Sequence, residues 1–368
     1  MKRVTAVIIG GGPAGSAAAL ILARAGASVL VIDRSADGHN KIGESLPPSA
    51  GLLLRDMGLW DRFLACGHRP CYGNRSAWGS PGLDKYDFIF EPGGVGWHLE
   101  RSRFDALLVK ATAEAGALRL CPTRLVSCNR TGNGLWRLGL LSPECSSEVY
   151  ADFVVDASGP ASVFARRQGA TRKVYDRMVG TVAWLATCGN DPISPFTVTE
   201  AVQDGWWYVT PVGNEQLIVG YMSDADLIRG RKLQSVGGWT LLFNQTRAVR
   251  ELVEAHGYRF LEGAPRLVCA ASSVLNVVTG SSWVAVGDAA AAHDPLSSQG
   301  ITSALASGVR AAESIHSGGP RALQEYESWI KEMYAGYLAY RAAYYAMEQR
   351  WPDSPFWRRR HGVLSEKP

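Results

Sequence analysis

Several features are scarce or missing in this 368-residue sequence, and each absence excludes a class of protein. No cysteine pair has the C-x-x-C spacing, and the number of cysteines is odd. This argues against a disulfide framework and against a zinc site, so we expect reduced thiols, no bound metal and a cytoplasmic protein. The seven thiols are those of Cys66, Cys71, Cys121, Cys128, Cys145, Cys188 and Cys269.

Long apolar runs and a strong excess of one charge are also missing. No stretch is long enough to span a bilayer, and the first strand follows Met1 so closely that we expect no signal or transit peptide. Lys plus Arg number 38 and Asp plus Glu number 34, which gives a net charge of +4. This mild and evenly spread excess predicts neither nucleic acid nor a membrane as a partner.

The composition is instead typical of a globular enzyme. Hydrophobic residues make up 46% of the chain and charged residues 20%. The length is too great for one simple core and predicts two closely packed domains.

The N-terminal stretch carries the strongest motif. The apolar run Lys2–Ile9 predicts a buried strand, and it leads into G-x-G-x-x-G at Gly10, Gly12 and Gly15. An Ala-rich helix and a second buried strand follow, and that strand ends at Asp33. This order is the one that a dinucleotide pyrophosphate site requires, with the phosphates at the helix N-terminus and a ribose at the acid.

Three later segments place polar residues directly after predicted buried strands. They contain Glu44 with Ser45, then Asp156, and finally Asp288. Since open α/β sheets bind ligands at the carboxyl ends of their strands, we expect these residues to converge on one site. Residues 178–268 differ, because alternating apolar and polar runs with many aromatics predict a largely antiparallel sheet followed by two helices.

Apolar spacing predicts two further helices. One opens at Trp97 and continues to Ala115, and a longer one runs from Ala322 to Arg350. The longer helix carries seven aromatic residues. An aromatic stripe at helical spacing usually packs into a core or against another domain, and a cover over an active-site mouth is the alternative.

Taken together, these motifs resemble a known family. G-x-G-x-x-G, D-A-S-G-x-x-S and a G-D followed by D-P-x-S-x-x-G-I are similar to the FAD-binding signatures of the p-hydroxybenzoate-hydroxylase-like flavoproteins. K-I-G-E-S-L-P-P and D-P-L-S-S-Q-G-I resemble the branch of flavin-dependent halogenases and polyprenyl reductases. G-W-H-L-E-R-x-R-F-D and R-W-P-D-S-P-F-W-R-R-R resemble the LodB-like and GoxB-like maturases, which modify a tryptophan of a partner protein to build a quinone cofactor.

The resemblance implies an α/β fold, α+β overall. A Rossmann-type FAD-binding domain would be interleaved with an antiparallel-sheet substrate domain and followed by an aromatic-rich helical segment. The FAD-binding domain would comprise residues 1–66, 97–177 and 269–320, the substrate domain residues 67–96 and 178–268, and the helical segment residues 321–368.

The resemblance also implies which residues bind FAD. Gly10, Gly12 and Gly15 would hold the pyrophosphate, and Asp33 with its neighbour Arg34 would bind the adenosine ribose. Arg101 would contact the phosphates or the ribityl chain, and Asp288 would bind the ribityl or pyrophosphate region. Glu44 and Ser45 would lie near the flavin ring, and Pro295, Gly300 and Ile301 would lie along the isoalloxazine.

Two implied roles have structural alternatives. Arg101 would otherwise form a surface salt bridge with Glu100 or Asp105. Asp156, which is implied to act on the flavin indirectly, would cap a helix.

Two departures from the halogenase pattern argue against halogenation. The resemblance requires a lysine some way after the G-E motif, but no lysine lies between Lys41 and Lys85. Arg75 lies in about the expected region, yet a guanidinium that stays protonated is a poor nucleophile. The W-x-W-x-I-P signature appears as residues 206–211 and keeps only its first tryptophan and its proline.

We therefore interpret the sequence as an FAD-dependent monooxygenase acting on an aromatic substrate, with a tryptophan of a partner protein as one candidate. FAD would carry the oxygen chemistry with O2 as co-substrate, while the protein supplies a water-poor pocket, orientation and a proton. The catalytic candidates are Trp206 and Tyr208, which would line the pocket, and His98 and His293 as acid–base residues. A satisfied structural histidine is an equally good interpretation of either.

The sequence leaves the electron donor and several alternatives open. No second G-x-G-x-x-G is present, so electrons would come from transiently bound NAD(P)H, from a separate flavin reductase or from the substrate itself. The alternative activities are a flavin-dependent halogenase, a polyprenyl-type reductase and a small-molecule hydroxylase of natural-product biosynthesis. A flavin-bearing chaperone that binds a partner without turnover is the non-enzyme alternative.

Overall fold

The computed structural model describes residues 2–35, 41–187, 194–213, 215–261 and 263–362. Cys188 and the last six residues of the predicted helical segment lie outside these ranges. The helices of the described residues are α1 (Pro13–Arg24), α2 (Ala50–Asp56), α3 (Trp60–Ala65), α4 (Arg101–Glu114), α5 (Val236–Phe243), α6 (Ala248–Ala255), α7 (Gly300–Ser317), α8 (Pro320–Ala346) and α9 (Pro355–His361).

The strands of the described residues form four sheets. In chain order they are β1 (Lys2–Ile9), β2 (Val29–Ile32), β3 (Ser45–Leu46), β4 (Arg69–Cys71), β5 (Gly73–Ala77), β6 (Asp84–Asp87), β7 (Gly96–His98), β8 (Leu118–Leu120), β9 (Arg124–Arg130), β10 (Trp136–Leu141), β11 (Ser146–Asp156), β12 (Arg172–Val174), β13 (Met178–Thr187), β14 (Phe196–Val202), β15 (Gly205–Val212), β16 (Gln216–Asp224), β17 (Tyr258–Phe260), β18 (Arg266–Cys269), β19 (Ser273–Leu275), β20 (Thr279–Gly280), β21 (Trp283–Ala285) and β22 (Ala291–Ala292).

The first large sheet is built around β1, as the N-terminal motif predicts. Its strand order is β20-β21-β11-β1-β2-β8, and β1 pairs in parallel with β2 and β11. Helix α1 packs against α7 at very close range. A Cβ on Gly308 of α7 would collide with the carbonyl oxygen of Ala14 of α1, so only glycine fits there. Such close packing requires small residues where the two helices meet. The Rossmann-type arrangement is confirmed.

The second large sheet contains the aromatic-rich residues. Its order is β17-β13-β16-β15-β14-β5-β6, and every pair is antiparallel except β14 with β5. Successive side chains of β15 point to opposite faces. Trp207 therefore packs under α5 against Trp239, whereas Trp206 and Tyr208 join the core that α8 and α9 cover.

One predicted helix begins later than its sequence suggests. The segment from Trp97 was expected to open a helix, but β7 pairs there with β3 and β4, and α4 begins at Arg101. The extended conformation is favoured over a helix here for two reasons. The N–H of Leu99 donates to the carbonyl oxygen of Glu44 at 2.7 Å, and Trp97 packs edge-on against Phe63.

The aromatic stripe of α8 packs against both large sheets. Tyr326, Tyr334 and Tyr337 belong to the core of the first sheet, and Tyr345 belongs to the core under β15. The packing interpretation of this stripe therefore holds for its buried members. Within the described residues, none of the helices is long and apolar enough to cross a bilayer.

Candidate cofactor and substrate site

The glycine-rich turn between β1 and α1 is shaped for a ligand that approaches the backbone. Gly10 has φ +110°, and a Cβ there would collide with the carbonyl oxygen of Ala157. A Cβ on Gly15 would likewise collide with the carbonyl oxygen of Gly10. By contrast, a Cβ on Gly12 would meet no atom within 4 Å, and no side chain caps α1 there. The open space beside an uncapped helix N-terminus fits the pyrophosphate of a dinucleotide such as FAD.

Asp33 lies beside this turn at the end of β2. Its Oδ2 accepts a hydrogen bond from the N–H of Gly11 at 3.0 Å, and its Oδ1 accepts one from Ser35 at 3.0 Å. The neighbouring Arg34 is exposed. The carboxylate therefore lies beside the glycine-rich turn, and its contact with a ribose stays a prediction.

Arg101 begins α4 and links it to the segment before β3. Its guanidinium donates to the carbonyl oxygens of Ile42 and Gly43 and pairs with Asp105 at 3.2 Å. The salt bridge with Asp105 that the alternative named is therefore present, although the Arg101 side chain is only 11% exposed and the pair does not lie on the surface. A Cβ on Gly43 would come within 3.0 Å of Arg101 Nη1 and 3.7 Å of Ile301 Cδ1, which brings three of the predicted segments together.

Asp156 serves the protein backbone directly. Its Oδ2 accepts hydrogen bonds from the N–H groups of Phe164 and Ala165, each at 2.8 Å, and its Oδ1 accepts from the N–H and hydroxyl of Ser158. Because all four bonds come from the protein and the side chain is fully buried, the capping interpretation describes this residue. It holds the loop that adjoins Gly10.

Asp288 follows β21 and faces two arginines. Burial raises its pKa to about 6, while the guanidinium groups of Arg172 and Arg101 act to lower it. Arg172 also donates to the backbone oxygens of Asp288 and Ala289 at 2.8 and 2.7 Å. Sequence reasoning missed Arg172. The only signal was a basic residue shortly after the D-A-S-G motif.

Glu44 and Ser45 lie at the start of β3, next to β7 and beside the second large sheet. Burial raises the pKa of Glu44 to about 7, with Arg101 opposing the shift. Ser45 Oγ lies 3.3 Å from Thr210 Oγ1, on β15. Burial and the nearby Glu44 carboxylate together raise the pKa of Tyr208 well above its ordinary value. These contacts join the predicted flavin surroundings to the predicted pocket.

The segment before α7 presents both exposed and buried groups to this region. Pro295 and Gly300 are exposed, and a Cβ on Gly300 would meet nothing within 4 Å. Ile301 is buried and lies beside Gly43. The segment is anchored by Asp294, whose Oδ1 accepts from the N–H of Leu296 at 2.9 Å. It therefore leaves room for a flat ring along the start of α7, which fits FAD.

The two candidate histidines are both interior and neutral. Burial lowers the pKa of His98 and of His293 to about 4. His98 lies on β7, where its backbone pairs with Ser45 and Arg69. The ring of His293 packs edge-on against Tyr337 at 4.7 Å, and its nitrogens have no hydrogen-bond partner among the described residues. The unpartnered nitrogens of His293 do not fit a satisfied structural histidine, while the lowered pKa values of both rings argue against either as an acid or base near neutrality.

One further observation bears on the halogenase alternative, and another concerns metal binding. The guanidinium of Arg75 pairs with Asp87 at 2.7 Å and stacks on the ring of Phe196 at 3.6 Å. It is therefore engaged on the far strands of the second sheet. In the part of the chain that the structure describes, no cluster of His, Cys, Asp and Glu could hold a metal ion.

Comparisons with known proteins agree with this geometry. The FAD binding domain family matches residues 3–328. LodB of Marinomonas mediterranea, described as an FAD-dependent oxidoreductase, is 28% identical over 369 residues, covering 98% of each chain. The flavin-dependent halogenase gsfI of Penicillium aethiopicum is 28% identical over 349 residues, but the match covers 86% of this chain and 64% of the halogenase.

Solved structures of flavoproteins share the fold. The myxobacterial chondrochloren halogenase CndH superposes with a TM-score of 0.87 at 25% identity, covering 98% of this chain and 86% of that chain. The chain therefore belongs to the FAD binding domain family, and it is an FAD-dependent oxidoreductase of the branch that contains halogenases and monooxygenases.

Proposed function

We propose that this protein is an FAD-dependent monooxygenase that hydroxylates an aromatic group, with a tryptophan side chain of a partner polypeptide as the first substrate to test. The observation that carries the proposal is the position of Tyr208. It lies on the face of the second sheet that adjoins Glu44, and Glu44 in turn adjoins the segments predicted to hold the flavin. An aromatic substrate placed there would meet aromatic walls on one side and the cofactor on the other.

The residues proposed for FAD include two groups that lie in different parts of the site. Gly10, Gly12 and Gly15 leave room for the pyrophosphate at the start of α1. Arg101 and Ile301 both lie close to Gly43, as expected if Arg101 holds the phosphates or ribityl chain and Ile301 the isoalloxazine. When bound and reduced, FAD would supply the oxygen chemistry, in which one atom of O2 enters the aromatic ring and the other leaves as water.

The protein's own part is to orient the substrate and to exclude water. Trp206, Tyr208 and Trp78 are buried together with Tyr345 of α8, so an apolar aromatic cluster would lie behind the substrate. Electrons would reach the site from NAD(P)H or from a separate flavin reductase. The similarity to LodB over 98% of both chains supports an oxidoreductase of the same length and organisation.

The test uses the holoenzyme with NADH, a flavin reductase and isotopically labelled O2. Free tryptophan, tryptophan-containing peptides and polypeptides encoded beside the gene are offered in parallel, and products are read by mass spectrometry. We expect one labelled oxygen atom in the product of one substrate. A Gly12→Ala variant, expected to lose FAD, controls for oxidation by free reduced flavin.

Halogenation is the second candidate, because a halogenase is 28% identical over most of this chain. The same reaction is therefore run with added bromide or chloride. A halogenated product that depends on the enzyme would overturn the monooxygenase proposal. The engaged guanidinium of Arg75 leads us to expect none.

A further inference from the structure

Five aromatic side chains form a continuous series that runs from the interior of the protein to its surface. From inside to outside, this aromatic series consists of Trp206, Tyr345, Trp78, Trp357 and Trp351. Trp206, Tyr345 and Trp357 are at most 1% exposed, whereas Trp351, which lies between α8 and α9, is half-buried. The series therefore connects a closed interior to solvent at one end.

Neighbouring members of the aromatic series are in direct contact. The centre of the Trp78 ring lies 6.4 Å from that of Trp206 and 5.7 Å from that of Tyr345. Trp357 lies 5.3 Å from Trp78 and 5.9 Å from Tyr345, and it stacks on Trp351 at 6.2 Å. These separations are those of aromatic rings that touch. Both inner routes meet at Trp357, so Trp357 and Trp351 are the members that an electron moving along the series has to pass.

The inner end of the series adjoins two segments that are predicted to surround the flavin ring. The phenol of Tyr345 donates at 2.8 Å to Asp294, which directly precedes Pro295. The ring of Tyr208 lies 6.2 Å from that of Trp206, and Tyr208 is close enough to Glu44 for that carboxyl to raise its pKa. A flavin held by these two segments would lie next to the inner end of the series.

The surroundings of Tyr345 suit a phenol that gives up an electron. A phenol that loses an electron becomes strongly acidic, so its oxidation needs a base at hydrogen-bond distance. Asp294 Oδ2 is such a base, at 2.8 Å from the phenol oxygen. The guanidinium groups of Arg341 and Arg360 lie 5.0 and 5.1 Å from the centre of the ring and disfavour a positive charge on it. We therefore expect the electron and the proton to leave Tyr345 together.

The outer end of the series is open to small molecules in solution. Trp351 is half-buried, so part of its ring meets solvent. The guanidinium of Arg350 lies 4.4 Å from the centre of this ring, but it is paired with the carboxylate of Glu348 at 2.5 Å. Because the two charges compensate each other, the pair opposes the loss of an electron from Trp351 only weakly.

We propose that the aromatic series conducts single electrons from the surface to the flavin site, so that blue light reduces bound FAD at the expense of a thiol in solution. The activity would supply reduced flavin without NAD(P)H or a flavin reductase. It rests on the predicted position of the flavin ring and not on the proposed substrate.

The electrons and protons of this reaction balance. Tyr345 gives one electron to light-excited oxidised FAD and its proton to Asp294. Electrons from Trp357 and then Trp351 fill the vacancy, and the proton returns to the phenol. A thiol gives one electron to Trp351 and releases one proton, and two oxidised thiols join as a disulfide. Two cycles thus convert oxidised FAD and two thiols into reduced FAD, which takes up the two protons, and one disulfide.

The experiment illuminates the holoenzyme with blue light in the presence of dithiothreitol and without O2 or NAD(P)H, and follows the absorbance of bound FAD. Wild type is compared with Trp351→Phe and Trp357→Phe, which keep an aromatic ring but are much harder to oxidise. We expect the wild-type FAD to be reduced and this reduction to be lost in both variants. Equal rates of reduction in all of these proteins, or no reduction in the wild type, would overturn the proposal.

Trp329→Phe is the matched control. Trp329 is also half-buried and also lies beneath a guanidinium, that of Arg310 at 4.8 Å. Its aromatic neighbour is Tyr326, whose phenol donates to the backbone oxygen of Ala285, too weak a base to take a proton. We expect Trp329→Phe to photoreduce its FAD as the wild type does. A loss as large as that in Trp351→Phe would contradict a specific route.

Flash spectroscopy gives a second readout that follows the side chains themselves. After a laser pulse we expect the absorption of oxidised tryptophan in the wild type, with a decay that becomes faster as the thiol concentration rises. In Trp351→Phe the vacancy stops in the interior, so its decay should not respond to thiol. Absence of any oxidised aromatic signal in the wild type would leave packing as the only role of the series.

Trp351→Phe keeps the test decisive if the fully buried Trp357→Phe does not fold, because a change at a half-buried position near the surface spares the core. The outcome is also separate from that of the proposed function. If no substrate is hydroxylated, the proposed function fails, while photoreduction and the flash signals still decide whether the aromatic series conducts electrons.

Discussion

The indole N–H of Trp206 donates a 3.0 Å hydrogen bond to the phenol oxygen of Tyr345, and that phenol donates at 2.8 Å to the carboxylate of Asp294. Trp206 belongs to the second sheet, Tyr345 to α8, and Asp294 to the segment that leads into α7. Arg341 completes the network by pairing with both Asp294 and Asp176, at 3.2 and 2.8 Å. Helix α8 thus joins the segment predicted to lie along the flavin to the aromatic residues predicted to line the pocket.

Tyr345→Phe should destabilise the protein by about 1–3 kcal/mol, because it leaves the buried Trp206 N–H without its partner and removes one of the two hydrogen bonds to Asp294 Oδ2, where the bond from Arg341 remains. Urea unfolding of the holoenzyme measures the loss. The control is Tyr344→Phe, since Tyr344 is 55% exposed and its phenol contacts nothing in the buried network. Equal unfolding midpoints for the two variants would show that the Trp206–Tyr345 bond contributes nothing to stability.

Gly12→Ala should weaken FAD binding at least tenfold, or about 1.4 kcal/mol, without changing the fold. The added methyl group meets no protein atom within 4 Å, so its effect is confined to whatever occupies that space. Retention of FAD during gel filtration and titration of FAD into stripped enzyme measure the affinity. Gly132→Ala, which also adds a methyl group in open space, is the matched control. Unchanged FAD affinity in Gly12→Ala would place the pyrophosphate elsewhere.

The sequence was most informative where chemistry and local pattern coincide. The unit from Lys2 to Asp33 is local, and backbone collisions that the motif spacing already encodes require glycine at Gly10 and Gly15. The bond between Trp206 and Tyr345 joins residues 139 positions apart, and no periodicity in either segment specifies it. Trp97 is a case in which a local pattern predicts the wrong structure because a long-range contact overrides it. Its segment has helical spacing, but pairing with β3, a distant strand, makes it extended.

The role of Arg172 could not be predicted for a different reason. Arginine on a short strand is ordinary, and only its bonds to the backbone oxygens of Asp288 and Ala289 reveal that it holds the turn after β21. Glu44 was expected near the flavin from its motif, but its raised pKa depends on burial by segments that are distant in sequence, including Arg101 and Tyr208.

His98 should make the protein sensitive to mild acid. Its pKa is lowered from 6.5 to about 4 by burial, so the unfolded chain binds a proton between these values and the folded protein does not. Stability is therefore complete above about pH 6.5 and falls as the pH drops towards 4, by up to about 3 kcal/mol for this residue.

His98→Gln removes this ionisable group, so its melting temperature should fall less than that of the wild type between about pH 7 and 5. His316→Gln, a change near the C-terminus of α7, serves as the comparison. Parallel melting curves for wild type and His98→Gln across this pH range would contradict the prediction.

Asp156→Asn should impair both stability and FAD binding, although its carboxylate contacts only protein. The amide oxygen cannot replace both carboxylate oxygens, and the amide NH2 would face N–H donors of Phe164 and Ala165 or of Ser158. Loss of two charge-assisted hydrogen bonds should cost about 3–5 kcal/mol. The same loop touches Gly10, so its displacement should also weaken FAD binding.

The matched control for Asp156 is Asp152→Asn on the same strand. Asp152 pairs with Arg3 at 2.7 Å in a largely exposed salt bridge, which should contribute less than about 1 kcal/mol. Urea unfolding and FAD titration of the two variants separate the roles. If Asp156→Asn loses stability but binds FAD with wild-type affinity, the loop after β11 is structural alone. If both properties fall together and Asp152→Asn changes neither, the buried carboxylate supports the cofactor site through the backbone that it holds.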